Sequence, residues 1–358
     1  MTFITDAAAR LGIRHPIIQG PFGGGLSTVE LAAKVSSAGG LGSYGAHITA
    51  PEDLADLPRR LSDATDAPFA LNLWVSDHDP GGEHPSAEQF ERYYPIFAPY
   101  YAELGLPAPV LPERFYHRFE DQVEALLEAR PPVFSFVFGI PERRILEECR
   151  RLGIVTVGAA TTLAEAEALD AAGVDLIVAT GLEAGGHRVS FLAPAEESLT
   201  GTFSLVQIAA AHVKAPVIAA GGIVDGRGVR ASLTLGAGAA QIGTAFLACA
   251  ESGTSEAHRD LLFSDAVRET TLTRSYTGRL ARGVRNRWIR EMEKHGHELP
   301  PFPVQSWFFG AIKAAALKEG RDDLLSLYAG QSAPKLKHRS ASALMDELIG
   351  DLETARAA

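Results

Sequence analysis

The sequence predicts an α/β fold: a closed (β/α)8 barrel with a small, mostly helical second domain inserted after the last strand. Three observations carry this. Short apolar runs alternate with stretches of helical periodicity along the chain. Eight such runs occur, each leading into a helix or an insertion. The runs are apolar on both faces, as strands of a parallel sheet covered on both sides must be. Their repeated strand–glycine–helix rhythm favours closure over an open doubly wound sheet.

Residues 15–19 (HPIIQ) read as the first strand and 20–25 (GPFGGG) as a turn. Ser27 with Glu30 reads as a capping box opening a helix. Leu31, Val35 and Ala38 mark its buried face, and Gly39 and Gly40 end it. Residues 41–46 form the second strand, Pro51 starts the next helix, and 69–75 (FALNLWV) form the third strand. Residues 133–138, 154–158, 176–179, 216–220 and 239–242 complete the series. Thr162 with Glu165 repeats the capping box before a helix that ends at Ala172 and Gly173. Two segments break the rhythm. Residues 76–115, rich in Pro and Tyr, fall over the C-terminal face of the barrel. They read either as a wall of a substrate pocket or as a surface excursion. Residues 253–305 read as the small helical domain on the substrate side, 311–327 as a closing helix and 341–358 as a helical tail. The barrel then takes residues 1–252 and 306–340.

Composition bounds the function. With 358 residues, 46% of them hydrophobic, the chain can bury a large core. A net charge of −11 leaves no basic field for nucleic acid or an anionic membrane. The basic run at 279–290 (RLARGVRNRWIR) is local and reads as a solvated or packing face. Cys149 and Cys249 form no CxxC or metal pattern, which fits a reducing cytoplasm and no metal. The N-terminal MTFITDAAARLG lacks the features of a secretory leader. No apolar run approaches the ~18 residues of a membrane span. Partners are therefore expected to be small molecules, with a homodimer left open.

Chemistry is concentrated where strands break into glycines. Residues 182–191 (LEAGGHRVSF) follow the sixth strand, 216–228 (PVIAAGGIVDGRG) contain the seventh, and 236–247 (GAGAAQIGTAFL) contain the eighth. Gly221 and Gly222 lead from strand to helix and allow a phosphate to approach main-chain N–H groups. Gly243 and Thr244 offer a second set of amides and a hydroxyl, at the position where barrels commonly hold phosphate. His187, after Gly185 and Gly186, brings an imidazole suited to general-base work near neutral pH. Asn72 is an amide inside an apolar strand and needs a partner, which a ligand at the barrel mouth can supply. Taken singly, each has a plainer reading: a turn, a satisfied core histidine, a core amide. The order of the motifs favours a phosphate-bearing cofactor with a base beside its reactive end.

These motifs, with NLWV, TGRLARGVRN and YAGQ, make residues 13–331 similar to the nitronate monooxygenases, once called 2-nitropropane dioxygenases. The wider FMN-dependent group also contains the enoyl-(acyl carrier protein) reductases. TGR-x-AR-x-x-x-N, at 277–286, leans towards the nitronate branch. The resemblance implies FMN on a TIM barrel, with phosphate-binding positions at Gly222, Gln241, Ile242, Gly243 and Thr244. It implies that Asn72 and Gly185 contact the flavin, that Gln331 lies near the ring, and that His187 is the base. It implies oxidation of alkyl nitronates or nitroalkanes by dioxygen to a carbonyl compound and nitrite, without NAD(P)H. Three positions depart from the family's pattern. Thr180 stands where a flavin-contacting glutamine is usual, and it stays in the cofactor set. Phe22 replaces a methionine and His47 a small residue, and both are expected in the substrate pocket. Two other readings stay open. One is an NAD(P)H-dependent FMN reductase of the enoyl type; the other is a barrel enzyme for a phosphate compound without redox chemistry.

Overall fold

The computed structural model describes residues 5–76 and 79–354. Strands β1 (Ile17–Gln19), β2 (Gly42–Gly45), β3 (Phe69–Trp74), β4 (Val133–Val137), β5 (Val155–Ala160) and β6 (Leu176–Thr180) come first. A two-residue strand, β7 (Gly186–His187), lies outside the barrel, and β8 (Val217–Ala220) and β9 (Ala239–Ile242) complete it. The eight barrel strands run parallel in the order β1-β9-β8-β6-β5-β4-β3-β2. A parallel bridge from Ile18 to Leu41 brings β1 back to the start of β2 and closes the ring.

Side-chain alternation sorts the barrel residues. Ile17, Leu71, Leu73, Ile177, Ala179, Ala219 and Ile242 pack outward into the helical layer. Ile18, Ala70, Leu176, Val178, Ile218, Ala220 and Ala239 fill the lumen. The period of two then carries Asn72, Trp74, Thr180 and Gln241 to the lumen side at its C-terminal mouth. The opposite mouth is plugged by helix Asp6–Leu11, whose Ala7 and Ala8 join the lumen cluster.

Helix boundaries depart from expectation in instructive ways. The cap of helix Val29–Ser37 is Thr28, which accepts from Leu31 N–H at 3.0 Å. Ser27 instead accepts from the amides of Phe22 (3.0 Å) and Gly45 (3.1 Å), pinning the turn after β1 to β2. Thr162 does cap helix Leu163–Ala171. The Glu165 carboxylate, however, holds Thr161 (2.6 and 2.7 Å) and the amides of Phe191 and Leu192.

The insertion adds a small sheet to its helices. It holds helices Glu256–Leu262 and Arg287–Met292 and two strands, β10 (Thr270–Thr273) and β11 (Ala281–Val284). These join β7 in an antiparallel sheet ordered β10-β11-β7. Part of the run 279–290, expected to be a solvated or packing face, is therefore a buried strand, which is the packing alternative. The expected closing helix at 311–327 is Val304–Lys318, and it does not join the barrel's outer helical layer. It packs beside helix Ala87–Glu103 in a second core containing Phe97, Trp288, Phe308 and Phe309. The barrel's eighth helix is Ala341–Thr354, placed in the tail by sequence. Its Leu344, Met345 and Leu348 seal the barrel core between Gly226–Thr234 and Val29–Ser37. A ring of eight strands needs an outer helix in that gap, and this apolar face supplies it. Residues 355–358 of the expected tail lie outside the described residues.

Candidate active site

A cavity of about 410 Å³ opens at the C-terminal ends of the barrel strands, where barrels place their chemistry. Of the residues singled out by sequence, Phe22, His47, Asn72, Thr180, Gly185, His187, Gly221, Gly222, Gln241, Gly243 and Thr244 all line it.

One end is built from main chain. Gly221 (φ 108°) and Gly222 (φ 73°) hold left-handed conformations that a side chain would strain. The amides of Gly222, Ile223, Gly243 and Thr244 have no main-chain acceptor among the described residues. Ser332 donates to Gly222 O at 2.7 Å, and Thr244 Oγ1 accepts from Gly330 N–H at 3.0 Å, so the cradle is braced from behind. The following helix, Gly226–Thr234, does not offer its terminus to a ligand: the Asp225 carboxylate caps it at Gly228 N–H (2.9 Å) and pairs with Lys335. The main-chain amides open to the cavity lie in the glycine turns before the two helices. Two expected contacts fall elsewhere. Ile242 alternates outward from Gln241 and is fully buried in the barrel core. Gln331 is exposed on another face and only its N–H is used, on Glu183 O at 2.9 Å, while its neighbours Gly330 and Ser332 face the cavity.

The middle holds polar side chains in an apolar lumen. Asn72, 4% exposed, donates through Nδ2 to Ser135 Oγ at 3.0 Å and leaves Oδ1 without a partner among the described residues. Sequence reading gave Ser135 no role. The Thr180 hydroxyl and the Gln241 amide likewise make no side-chain hydrogen bond to the described residues. The Thr180 carbonyl accepts from Arg188 at 3.0 Å, and the same buried guanidinium holds Gly181 O (2.6 Å) and Ser198 O (2.8 Å). Burial lowers the Arg188 pKa to about 10. Gly185 is a glycine because a Cβ would come within 2.6 Å of Gly330 N.

The far end is aromatic and carries two imidazoles. His187 sits in β7, its backbone paired with Ala281 of β11, and its Nε2 lies 2.8 Å from Thr277 Oγ1. Trp74 meets it edge-on at 5.2 Å and stacks flat on His47 at 3.9 Å. Arg279 reaches from the insertion, hydrogen-bonds Ser76 Oγ at 2.8 Å and pairs with Asp79. Its guanidinium lies over the rings of Phe138 (3.6 Å) and Phe302 (4.0 Å). Tyr116, immediately after the Pro- and Tyr-rich segment, stacks on Phe302 and completes this wall. Lys313 adds a second cation to the lining, its pKa lowered by burial.

Electrostatics at this end differ from the sequence expectation. The His187 pKa falls to about 3, first through burial, then through the charges of Arg279 and His47. His47 falls to about 3 through burial and Arg279. Both imidazoles are neutral across the physiological range, rather than titrating near 6.5. Sequence reading missed Trp74, Phe138, Thr277, Arg279, Phe302 and Tyr328. The TGR triplet at 277–279 was the available signal for two of them.

Barrel, amide cradle and desolvated imidazoles together define a (β/α)8 barrel whose C-terminal mouth is shaped as an enzyme site. Among the described residues no group of His, Cys, Asp and Glu is placed to hold a metal ion, and no helix is long and apolar enough to cross a membrane. The family model for nitronate monooxygenase matches residues 5–351. A nitronate monooxygenase of Pseudomonas aeruginosa is 41% identical over 356 residues, covering 98% of this chain and 99% of that protein. Among solved structures, a nitroalkane oxidase from Streptomyces ansochromogenes superposes with a TM-score of 0.87 at 35% identity, covering 98% and 99% of the two chains. FabK from Thermotoga maritima follows at a TM-score of 0.76 and 28% identity, covering 99% and 97%. The chain belongs to the nitronate monooxygenase family and is a flavin-dependent oxidoreductase.

Proposed function

We propose that this protein uses FMN to oxidise alkyl nitronates and nitroalkanes with dioxygen, forming a carbonyl compound and nitrite. One observation carries the reading. A single cavity joins an amide cradle at β8 and β9 to a neutral, buried imidazole at β7. The residues fit FMN. Gly222, Ile223, Gly243 and Thr244 would hold its phosphate, and Asn72, Thr180, Gly185 and Gln241 would meet its polar edges. The G-x-G-x-x-G spacing at 40–45 falls largely within strand β2, not on a strand-to-helix turn, so it is no dinucleotide site. When bound, the flavin supplies two-electron oxidation and reaction with dioxygen.

The chain's own groups handle the proton. In the tautomer that donates from His187 Nε2–H to Thr277 Oγ1, Nδ1 is the free base. Nδ1 takes the α-proton of a neutral nitroalkane. The imidazolium so formed faces the new nitronate charge, which offsets part of the burial that keeps the free ring neutral. A preformed nitronate bypasses this step.

The test is an absorbance spectrum of the purified protein, chromatography of its released flavin, and aerobic and anaerobic titration with ethyl nitronate. FMN, oxygen uptake and nitrite release are expected. Recovered FAD would overturn the cofactor. Bleaching by NADPH but not by nitronate would favour the enoyl-type reductase. A colourless protein would favour a barrel without redox chemistry.

A further inference from the structure

His47 has no role in the proton step, yet its placement is specific. It follows β2, lines the cavity and lies flat on Trp74, with ring centroids 3.9 Å apart and planes 2° apart. Neither ring nitrogen has a hydrogen-bond partner among the described residues. Nδ1 is sealed from solvent. The Gly23 turn closes over the ring so tightly that a methyl at Gly23 would stand 2.3 Å from Cε1. Nε2 is not sealed and opens to the cavity.

A proton on the sealed Nδ1 would be a buried donor with no acceptor, which costs its full desolvation. The ring therefore keeps its proton on Nε2, where a ligand can accept it. The stack on Trp74 and the contact with Gly23 fix the direction of that N–H. Trp74 also meets His187 at 5.2 Å, so one indole sets both imidazoles. The two rings are then complementary: His187 presents a lone pair through Nδ1, and His47 presents a donor through Nε2.

A nitro or nitronate group has two acceptor oxygens and no donor. Resting on the function proposed above, we infer that His47 Nε2–H hydrogen-bonds a substrate oxygen and is a binding determinant for acceptor-only, planar oxyanions. It holds the nitro group while His187 addresses the neighbouring C–H.

The test compares two variants of the flavin-loaded protein with ethyl nitronate as substrate. His47→Phe keeps an aromatic face on Trp74 and removes the donor. It should raise KM roughly ten- to hundredfold, as loss of a hydrogen bond to a charged group does, with kcat changed far less. His47→Gln restores an N–H and should recover most of the loss. Unchanged KM in His47→Phe, or a Gln variant no better than Phe, overturns the inference. Wild-type turnover and flavin content in the same experiment report separately on the proposed function. A readout independent of variants is ¹⁵N-histidine NMR of the wild-type protein with nitrate as a planar oxyanion. The Nε2–H tautomer and a shift of that signal on nitrate addition are expected, and an Nδ1–H tautomer would overturn the assignment.

Discussion

At the β8–β9 end the cavity wall is main chain: the amides of Gly222, Ile223, Gly243 and Thr244, braced by Ser332 and Gly330. At the opposite end it is side chain: Trp74, His47, Phe138, Phe302 and His187, with Arg279 behind them. The first end can recognise only charge and shape, because amides are the same in every residue. The second end discriminates among small organic groups, because each ring and each N–H is separately chosen. Damage to the first should therefore abolish loading of the site, and damage to the second should change what the loaded site does.

The largest effect is expected from Gly222→Asp. The carboxylate would add like charge at the cradle and a side chain where φ is 73°. Loss of two charge-assisted amide bonds, at about 1.5–3 kcal/mol each, is a loss of affinity of at least a hundredfold. The barrel core does not depend on this side chain, so circular dichroism should stay close to wild type while the flavin is lost. A yellow variant at wild-type stoichiometry would place the phosphate elsewhere and dissolve the contrast between the two ends.

His187→Asn should come next. Turnover of a neutral nitroalkane should fall by about 10²–10⁴-fold, the usual contribution of a general base, with flavin retained. Nitronate oxidation should fall much less, and equal losses would mean that the imidazole binds the nitro group instead. The acid profile sharpens this. With the His187 pKa near 3, nitroalkane activity should show no step around pH 6.5. Stability gives the sign independently. The unfolded histidine takes up a proton near ~6.5, whereas the folded ring stays neutral to about 3. Between those values the unfolded state binds more protons, so the contribution is complete above ~6.5 and is lost as pH falls. Melting temperatures from pH 7 to pH 4 should accordingly drop more steeply in wild type than in His187→Asn.

Thr180→Gln is the smallest change and tests the boundary between the two ends. The cradle still anchors the phosphate, so FMN should stay bound. A longer amide in the lumen should move the flavin reduction potential or the nitronate kcat by a few-fold. Wild-type values for both would show that the position is neutral.

The two ends also differ in how far they could be read from sequence. Strands β3, β6, β8 and β9 are largely apolar on both faces, and Gly221 and Gly222 after β8 hold the positive φ that favours glycine, whereas Gly243 after β9 does not. Those features are local, so they showed in the chain. The aromatic end assembles from segments around residues 47, 74, 138, 187, 279, 302 and 328, and no spacing connects them. Neighbouring positions were confused where only side-chain direction decides. Ile242 points away from the cavity because Gln241 points into it, and Gln331 turns outward between two cavity residues. Ser27 and Thr28 both suit a cap by composition, and only the geometry of the turn selects Thr28. Helices Val304–Lys318 and Ala341–Thr354 both carry apolar residues, so which of them faces the barrel depended on the second core.

The antiparallel register of β7 with β11 ties Gly186 and His187 to Arg282 and Ala281 of the insertion, and Thr277 lies in the same insertion. On the proposed function, the barrel would own the cofactor's berth, while the roof would own the alignment of the base. Inheritance of the two is separable. A lineage that kept the glycine turns and exchanged residues 253–305 would keep its yellow colour and lose its hold on the proton, free to acquire another reaction above the same ring.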